Sequence, residues 1–183
     1  IEEVENEQKR LRHRAVYQRT LRGTIAVLLV VAAISVLVAT LWMPVLQIYG
    51  SSMSPTLEAG QIVVSVKTNQ LKTGEVVAFW QGNKLLVKRV IAGPGQWVDI
   101  DMDGNVTVDG KELTEDYLDV KALGNCDVEL PHQVEESRWF LMGDNRDVSV
   151  DSRSAAIGDV SKDQIEGKIV FRIWPLKEFG SMQ

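Results

Sequence analysis

The sequence has little of the chemistry on which many enzymes depend. Its 183 residues include one cysteine, Cys126, and only two histidines, His13 and His132. A single thiol excludes an internal disulfide framework, and it also excludes a zinc site built from several cysteines. Two histidines are too few for a histidine-rich metal centre. We therefore expect neither an internal disulfide framework nor a metal centre built from several cysteines or histidines.

Basic side chains are scarce outside the N-terminal region. Residues 1–23 contain six Lys or Arg and four Asp or Glu, which gives a net charge of +2. The remaining residues contain 14 basic and 21 acidic side chains, which gives −7. Nucleic-acid binding needs clustered cations that displace counterions from phosphates. We therefore expect no nucleic-acid partner.

Charge of either sign is absent between Gly23 and Leu57. Thr24 to Trp42 is an uncharged run of 19 residues. As a helix it would measure roughly 28 Å, close to the ~30 Å hydrocarbon core of a bilayer. We predict one transmembrane helix over residues 24–43. A cleaved secretory signal or a buried core helix explains the length and the flanks less well.

The flanking charges predict the orientation of this helix. The six basic residues of the 1–23 tail precede it, and no basic residue follows it until Lys67. By the positive-inside rule the tail is cytoplasmic, and the domain over residues 44–183 is extracytoplasmic. His13 and His132 then lie on opposite sides of the membrane, so histidine chemistry in the outer domain would depend on His132 alone.

Beyond Gly60 the sequence has the periodicity of strands. Short runs rich in β-branched and aromatic residues are separated by Gly, Pro, Asn or Asp. The predicted strands are residues 61–67, 75–80, 84–92, 97–101, 105–109, 138–142 and 168–174. Asp103-Gly104-Asn105 predicts a hairpin turn; the alternative, a calcium-binding loop, would need a glutamate where Gly110 stands. We predict a mainly β domain in which residues 111–137 form a surface excursion.

A serine-rich segment, Gly50 to Leu57, lies just beyond the predicted membrane helix. The signatures of α/β-hydrolases, penicillin-binding proteins and zincins are absent from the sequence. By composition alone the segment is typical of a flexible juncture. Its position also suits a nucleophilic serine at the membrane surface.

A lysine interrupts the apolar strand predicted over residues 84–92. Strand alternation places Lys88 on one face with Leu86 and Val90, and Arg89 on the opposite face. One interpretation is an edge strand whose cations reach water along their flexible stems. The other is a buried Lys88 whose lowered pKa leaves a neutral amine able to act as a base, which an arginine cannot do.

Residues 143–153 form a third candidate segment, in which eight of eleven positions are polar or charged. They follow the strand predicted over residues 138–142. The segment is either a solvated loop with weak surface ion pairs or a polar network that orients a catalytic group.

Together these features resemble bacterial type I signal peptidases, especially the short forms of Gram-positive bacteria. The resemblance rests on the basic tail, the single span, the motif Ser52-Met53-Ser54-Pro55-Thr56-Leu57, the pair Lys88-Arg89 and the 143–153 segment. It implies a membrane-anchored serine endopeptidase with a Ser/Lys dyad on an antiparallel β catalytic domain. Such an enzyme removes signal peptides from exported preproteins after a small-x-small motif.

The resemblance also implies roles for individual residues. Ser52 would be the nucleophile, Lys88 the general base, and Ser149 the residue whose hydroxyl holds the lysine amine. The implied supporting residues are Asp144, Asn145, Arg146, Asp151 and Arg153. The implied substrate-binding residues are Ile48, Tyr49, Gly50, Leu57, Val63, Leu86 and Val87. Gly50 stands where some relatives have a serine that donates to the oxyanion, so we expect the Ser52 backbone N–H to do so here.

The implied partners are preprotein signal peptides and the lipid bilayer, with the secretion translocon as a further candidate. No cofactor is implied, and the implied location is the cell membrane. Two alternatives stay open: an assembly factor that binds an exported protein such as a pilin without cutting it, and a protease dedicated to one exported substrate. Phe79 and Trp80 are candidates for the core or for contact with the bilayer surface.

Overall fold

The computed structural model of the protein describes residues 2–68 and 70–182. The chain divides into two compact units, with the boundary between Trp42 and Met43. The first unit is one helix, α1 (Glu2–Trp42). Within α1, Val16–Leu37 is long and apolar enough to cross a membrane, with a mean hydropathy of 2.2. The helix continues without a break through residue 23, where the sequence predicts the tail to end.

The second unit is built from antiparallel strands, which confirms the predicted fold class. The strands are β1 (Val45–Gln47), β2 (Ile62–Val66), β3 (Val76–Gln81), β4 (Lys84–Ala92), β5 (Trp97–Ile100), β6 (Val106–Val108), β7 (Lys111–Glu112), β8 (His132–Gln133), β9 (Arg138–Met142), β10 (Val160–Ser161), β11 (Ile165–Trp174) and β12 (Gly180–Ser181). All seven predicted strands are present. The five that the sequence did not predict have two or three residues each, too few to show a period of two.

Two sheets result from the pairing of these strands. The larger has the order β1-β2-β11-β3-β4-β9-β10, with β12 also paired to β11, and the smaller has the order β7-β6-β5-β8. Strands β5 and β6 form the predicted hairpin. At its turn the Asp101 carboxylate accepts hydrogen bonds from the backbone N–H groups of Asp103 and Asn105, at 2.9 Å each.

Strand β4 changes its partners along its length. Residues Lys84–Arg89 pair with β3, whereas β9 pairs with β4 only from Arg89 onward. Among the described residues no strand occupies the other edge of Leu85–Lys88. The first half of β4 therefore keeps one edge of backbone groups free within the domain.

Three apolar clusters make up the core. One includes Met53, Leu57 and Val63 and lies around the serine-rich turn. A second includes Phe79, which is fully buried, so of the two residues considered for bilayer contact only Trp80 is exposed. The third lies against the smaller sheet.

The predicted excursion over residues 111–137 is exposed along most of its length. It nevertheless contributes two buried side chains, Glu115 and Val134. Four partly buried apolar residues of the segment pack against the third core cluster: Leu113, Leu123, Val128 and Leu130. The segment therefore covers part of the core in addition to lying on the surface.

Candidate active site

Ser52 lies in the turn that follows β1. Gly50 has φ +79°, a left-handed conformation that favours glycine, and it allows the chain to enter this turn. Beyond Ser52, Met53 and Leu57 are almost fully buried, and each such side chain contributes about 1.5–3 kcal/mol of burial free energy. A hydrogen bond of 2.9 Å from Leu57 N–H to Met53 O closes the turn. The serine is thus carried on a segment anchored in the core.

Lys88 faces Ser52 from the middle of β4. Its Nζ and the Ser52 Oγ are 2.6 Å apart and hydrogen-bonded. Only 3% of Lys88 is exposed. This burial agrees with the interpretation in which Lys88 shares an apolar strand face with Leu86 and Val90. The structure therefore supports the buried lysine over the edge strand whose cations reach water.

Burial lowers the pKa of Lys88 from 10.5 to about 8, because a desolvated ammonium is disfavoured. The negative charge of Asp151 opposes this shift, Arg153 adds to it, and Asp144 opposes it more weakly. None of the described carboxylates forms a salt bridge with Lys88. At pH 7 about a tenth of such a lysine is neutral. A neutral amine hydrogen-bonded to a hydroxyl can accept the hydroxyl proton.

The segment over residues 143–153 is folded against the Ser52 turn. Asn145 N–H donates to the Ser52 carbonyl at 3.1 Å. Gly143 is needed for close approach, because a Cβ there would collide with Ser149 Oγ and would lie 2.5 Å from the Ser52 carbonyl oxygen. The Gly143 N–H donates to Asp151 Oδ2 at 2.9 Å.

Asp151 and Arg153 form a buried, bidentate ion pair in this segment. Arg153 Nε and Nη2 each donate to an Asp151 oxygen at 2.9 Å. Burial alone would raise the pKa of Asp151, but the hydrogen bond and the charge of Arg153 hold it below its usual value. Asp151 therefore stays ionised beside Lys88 at neutral pH.

An open cleft leads to Ser52 and Lys88. Its walls come from the chain after β1 and from the first half of β4. The lining residues are Gln47, Ile48, Tyr49, Gly50, Ser52, Met53, Leu85, Leu86, Val87 and Lys88. The cleft thus combines an apolar wall with the unpaired edge of β4.

Comparison with known proteins identifies the family. A family model described as signal peptidase, peptidase S26, matches residues 21–174. The chain belongs to this signal peptidase family. Signal peptidase IB of Staphylococcus aureus (strain COL) is 39% identical, over 72% of this chain and 78% of that protein. Signal peptidase I of Bacillus licheniformis is 32% identical, over 84% of this chain and 88% of that protein.

A solved structure of a signal peptidase I from Enterococcus faecalis V583 is also similar. It is 25% identical and covers 56% of this chain and 98% of its own, with a TM-score of 0.45. The family match confirms the resemblance drawn from the sequence motifs. This signal peptidase is accordingly a serine endopeptidase.

The signal peptidase cleft includes five of the seven predicted substrate-binding residues. These are Ile48, Tyr49, Gly50, Leu86 and Val87. Leu57 and Val63 do not reach its surface, because both side chains are fully buried in the core cluster that also includes Met53. Their burial supports the walls without offering surface to a ligand.

Ser149 is close to the predicted dyad without bonding to it. Its Oγ is buried, and among the described residues it makes no hydrogen bond to Lys88 or Ser52. The predicted hydrogen bond to Lys88 is therefore not formed in this structure. The role of Ser149 stays a prediction.

The partners of the supporting charges were missed by the sequence reasoning. Asp144 accepts two hydrogen bonds from Arg89, at 2.8 and 2.6 Å, and Arg146 pairs with Glu115. Tyr117 lies under Arg89, with 3.8 Å between the guanidinium carbon and the ring centroid. No motif in the sequence singles out Glu115 or Tyr117, which the sequence places only within the predicted excursion over residues 111–137.

His132 is engaged elsewhere in the domain. Its Nε2 lies 3.0 Å from Asp159 Oδ1, and its ring is 5.5 Å from the ring of Phe140. It makes no hydrogen bond to Ser52 or Lys88 within the described residues. The imidazole is thus separate from the Ser52–Lys88 pair.

Proposed function

We propose that this signal peptidase cleaves preproteins with Ser52 as nucleophile and Lys88 as general base. The observation that carries the proposal is the 2.6 Å hydrogen bond between Lys88 Nζ and Ser52 Oγ at a lysine that is 3% exposed. Burial increases the fraction of neutral amine near neutral pH, and the short Nζ–Oγ distance holds the amine within reach of the hydroxyl proton that must leave Ser52.

The reaction follows from this pair. Ser52 Oγ attacks the scissile carbonyl carbon while Lys88 takes the hydroxyl proton. The resulting ammonium then protonates the leaving amine, which frees the mature protein and leaves an acyl group on Ser52. The neutral amine next removes a proton from water, and the water oxygen attacks the acyl carbonyl. The ammonium then returns this proton to Ser52 Oγ as the bond to the acyl group breaks and the signal peptide leaves. The Ser52 backbone N–H donates to the oxyanion in both steps.

The cleft indicates how the substrate binds. The free edge of β4 at Leu85–Val87 can hydrogen-bond an extended peptide added as a further strand. Alternate side chains of that peptide then point to the same wall. The wall near Ser52 is apolar and the cavity there holds only about 80 Å³, which suits small residues at the first and third positions before the scissile bond. This arrangement supports specificity for small-x-small motifs.

We further propose that α1 anchors the enzyme in the cell membrane. Val16–Leu37 has the length and hydropathy of a span, and its described side chains are exposed. The six basic residues of the 1–23 tail favour a cytoplasmic N-terminus and an extracytoplasmic domain over residues 44–183. Preprotein signal peptides and lipid are then the immediate partners, and the translocon is a candidate.

Incubation of a purified preprotein with the wild-type chain and with Ser52→Ala tests the proposal. The matched control is Ser51→Ala, which removes the neighbouring exposed hydroxyl. Mass spectrometry should find a new N-terminus after a small-x-small sequence with the wild type and the control, but none with Ser52→Ala. Cleavage by Ser52→Ala would refute the assignment. Intact substrate in a tight complex with the wild type would support an assembly factor instead.

A further inference from the structure

The backbone of Asn145 is held between two buried ion pairs. Its N–H donates to the Ser52 carbonyl at 3.1 Å. On one side Asp144 is paired with Arg89, and on the other side Arg146 is paired with Glu115. The side chains of all four partners are at most 3% exposed. The residue that contacts the Ser52 carbonyl is therefore flanked on both sides by a buried ion pair.

Tyr117 joins the two ion pairs into one unit. Its hydroxyl donates to Glu115 Oε1 at 2.7 Å, and its ring lies 3.8 Å from the guanidinium carbon of Arg89. Arg89 directly follows Lys88 on β4. A single aromatic side chain thus contacts a partner of each residue that flanks Asn145.

The packing of the 111–137 segment against the core does not account for the polar contacts of Glu115 and Tyr117. The same segment already packs Leu113 and Leu123 against the third core cluster. Neither Glu115 nor Tyr117 lines the cleft or bonds to Ser52 or Lys88. Their polar groups are directed to the charges around Asn145, where a small displacement moves the nucleophile. A misplacement of about 1 Å can cost roughly a hundredfold in rate.

We propose that Glu115 and Tyr117 are positioning residues for the reaction, acting through Arg146, Arg89 and the Asn145–Ser52 contact. The inference rests on the proposed function, since it assumes that Ser52 is the nucleophile. It assigns to the 111–137 segment a part in orienting the nucleophile. Loss of either residue should slow turnover and leave substrate affinity unchanged, because neither lines the cleft.

The test uses the full-length enzyme with Glu115→Gln, Tyr117→Phe and the double variant. Tyr117→Phe keeps the ring beneath Arg89 and removes only the hydroxyl, so it tests the idea even if Glu115→Gln fails to fold. The control is Asp116→Asn, an exposed carboxylate between the two. For each variant, kcat and KM for a preprotein are measured, together with the fraction folded by circular dichroism.

We expect Glu115→Gln to lower kcat about tenfold and Tyr117→Phe about threefold, both with KM within about twofold of the wild type. The double variant should match Glu115→Gln, because the tyrosine hydroxyl acts through the glutamate. The control should match the wild type. Folded variants with the kcat of the control, or with losses confined to KM, would overturn the inference. Cleavage by Ser52→Ala would instead refute the proposed function.

Discussion

Lys88 and Arg89 are adjacent cations on β4, equally buried at 3% exposure, yet their surroundings are opposite. Arg89 donates to both oxygens of Asp144, to the Gly74 carbonyl at 2.6 Å and to Thr56 Oγ1 at 3.1 Å. Lys88 donates to Ser52 Oγ and forms no salt bridge among the described residues.

The difference follows from what each side chain can do with its proton. A guanidinium stays charged at any physiological pH, so its burial is tolerable only with a paired carboxylate and satisfied donors. An amine can lose its proton, and burial without a salt-bridged carboxylate makes that loss easier. The salt bridge with Asp144 balances the charge of Arg89 and gives it a structural role. Lys88 has no salt bridge among the described residues, and its lowered pKa makes a neutral amine available near neutral pH.

The largest effect is expected from Lys88→Arg, which gives both positions the same chemistry. The variant keeps the charge and loses the base, so the rate of preprotein cleavage should fall by about 10³-fold or more. Lys84→Arg, at the exposed start of the same strand, is the control and should cleave normally. A Lys88→Arg rate close to the wild type would mean that the dyad is wrong.

Arg89→Met should destabilise the fold strongly, because it leaves the Asp144 carboxylate buried without its partner. The free energy of unfolding should fall by about 3–5 kcal/mol. Urea denaturation at pH 7 measures the change. A decrease in the free energy of unfolding of less than about 1 kcal/mol is typical of solvent-exposed salt bridges. Such a result would show that the Arg89–Asp144 salt bridge does not stabilise the fold.

Lys88→Met is the same substitution one residue earlier, and it should act in the opposite direction. Lowering the Lys88 pKa from 10.5 to about 8 costs the folded state about 3 kcal/mol below pH 8, at ~1.4 kcal/mol per pKa unit. The variant should therefore be more stable by up to that amount at pH 7. The gain should shrink as pH rises from 8 towards 10.5, where the unfolded lysine also becomes neutral. If Lys88→Met were less stable than the wild type at pH 7, the buried Lys88 ammonium would have to be stabilised by a partner in the folded state.

The smallest effect is expected from His132→Ala, because neither cation depends on the imidazole. Cleavage should stay within about twofold of the wild type. The measurement is the initial rate of preprotein cleavage. A hundredfold loss would favour a histidine-based site instead.

The face of Lys88 was predictable from the sequence, and the ion-pair partners of Arg89 and Arg146 were not. Alternation within residues 84–92 depends only on neighbours along the strand. The structure shows it, since Leu86 and Val90 pack in one core cluster and Val87 packs in another. The Arg89–Asp144 pair joins residues 55 positions apart, and the Arg146–Glu115 pair joins residues 31 apart. Such pairings depend on how β4, β9 and the 111–137 segment pack, which no local pattern encodes.

The cleft shows the same limit. Leu57 and Val63 have the residue types of a pocket wall, but whether an apolar side chain lines a cleft or fills the core depends on the tertiary packing. The strand β1 has only three residues, yet the chain that follows it forms one wall. Periodicity therefore predicted the strands of the sheet, whereas the lining of the cleft depends on tertiary packing.

If neutral Lys88 activates Ser52, the pH dependence of kcat/KM must follow the titration of the lysine amine. Because the deprotonated amine is the active form, kcat/KM should rise about tenfold per pH unit at acidic pH and level off above an apparent pKa of about 8. His132→Ala should leave this profile unchanged. A profile that is flat from pH 6 to 9, or whose inflection lies near the roughly 6.5 of histidine and disappears in His132→Ala, would contradict the account.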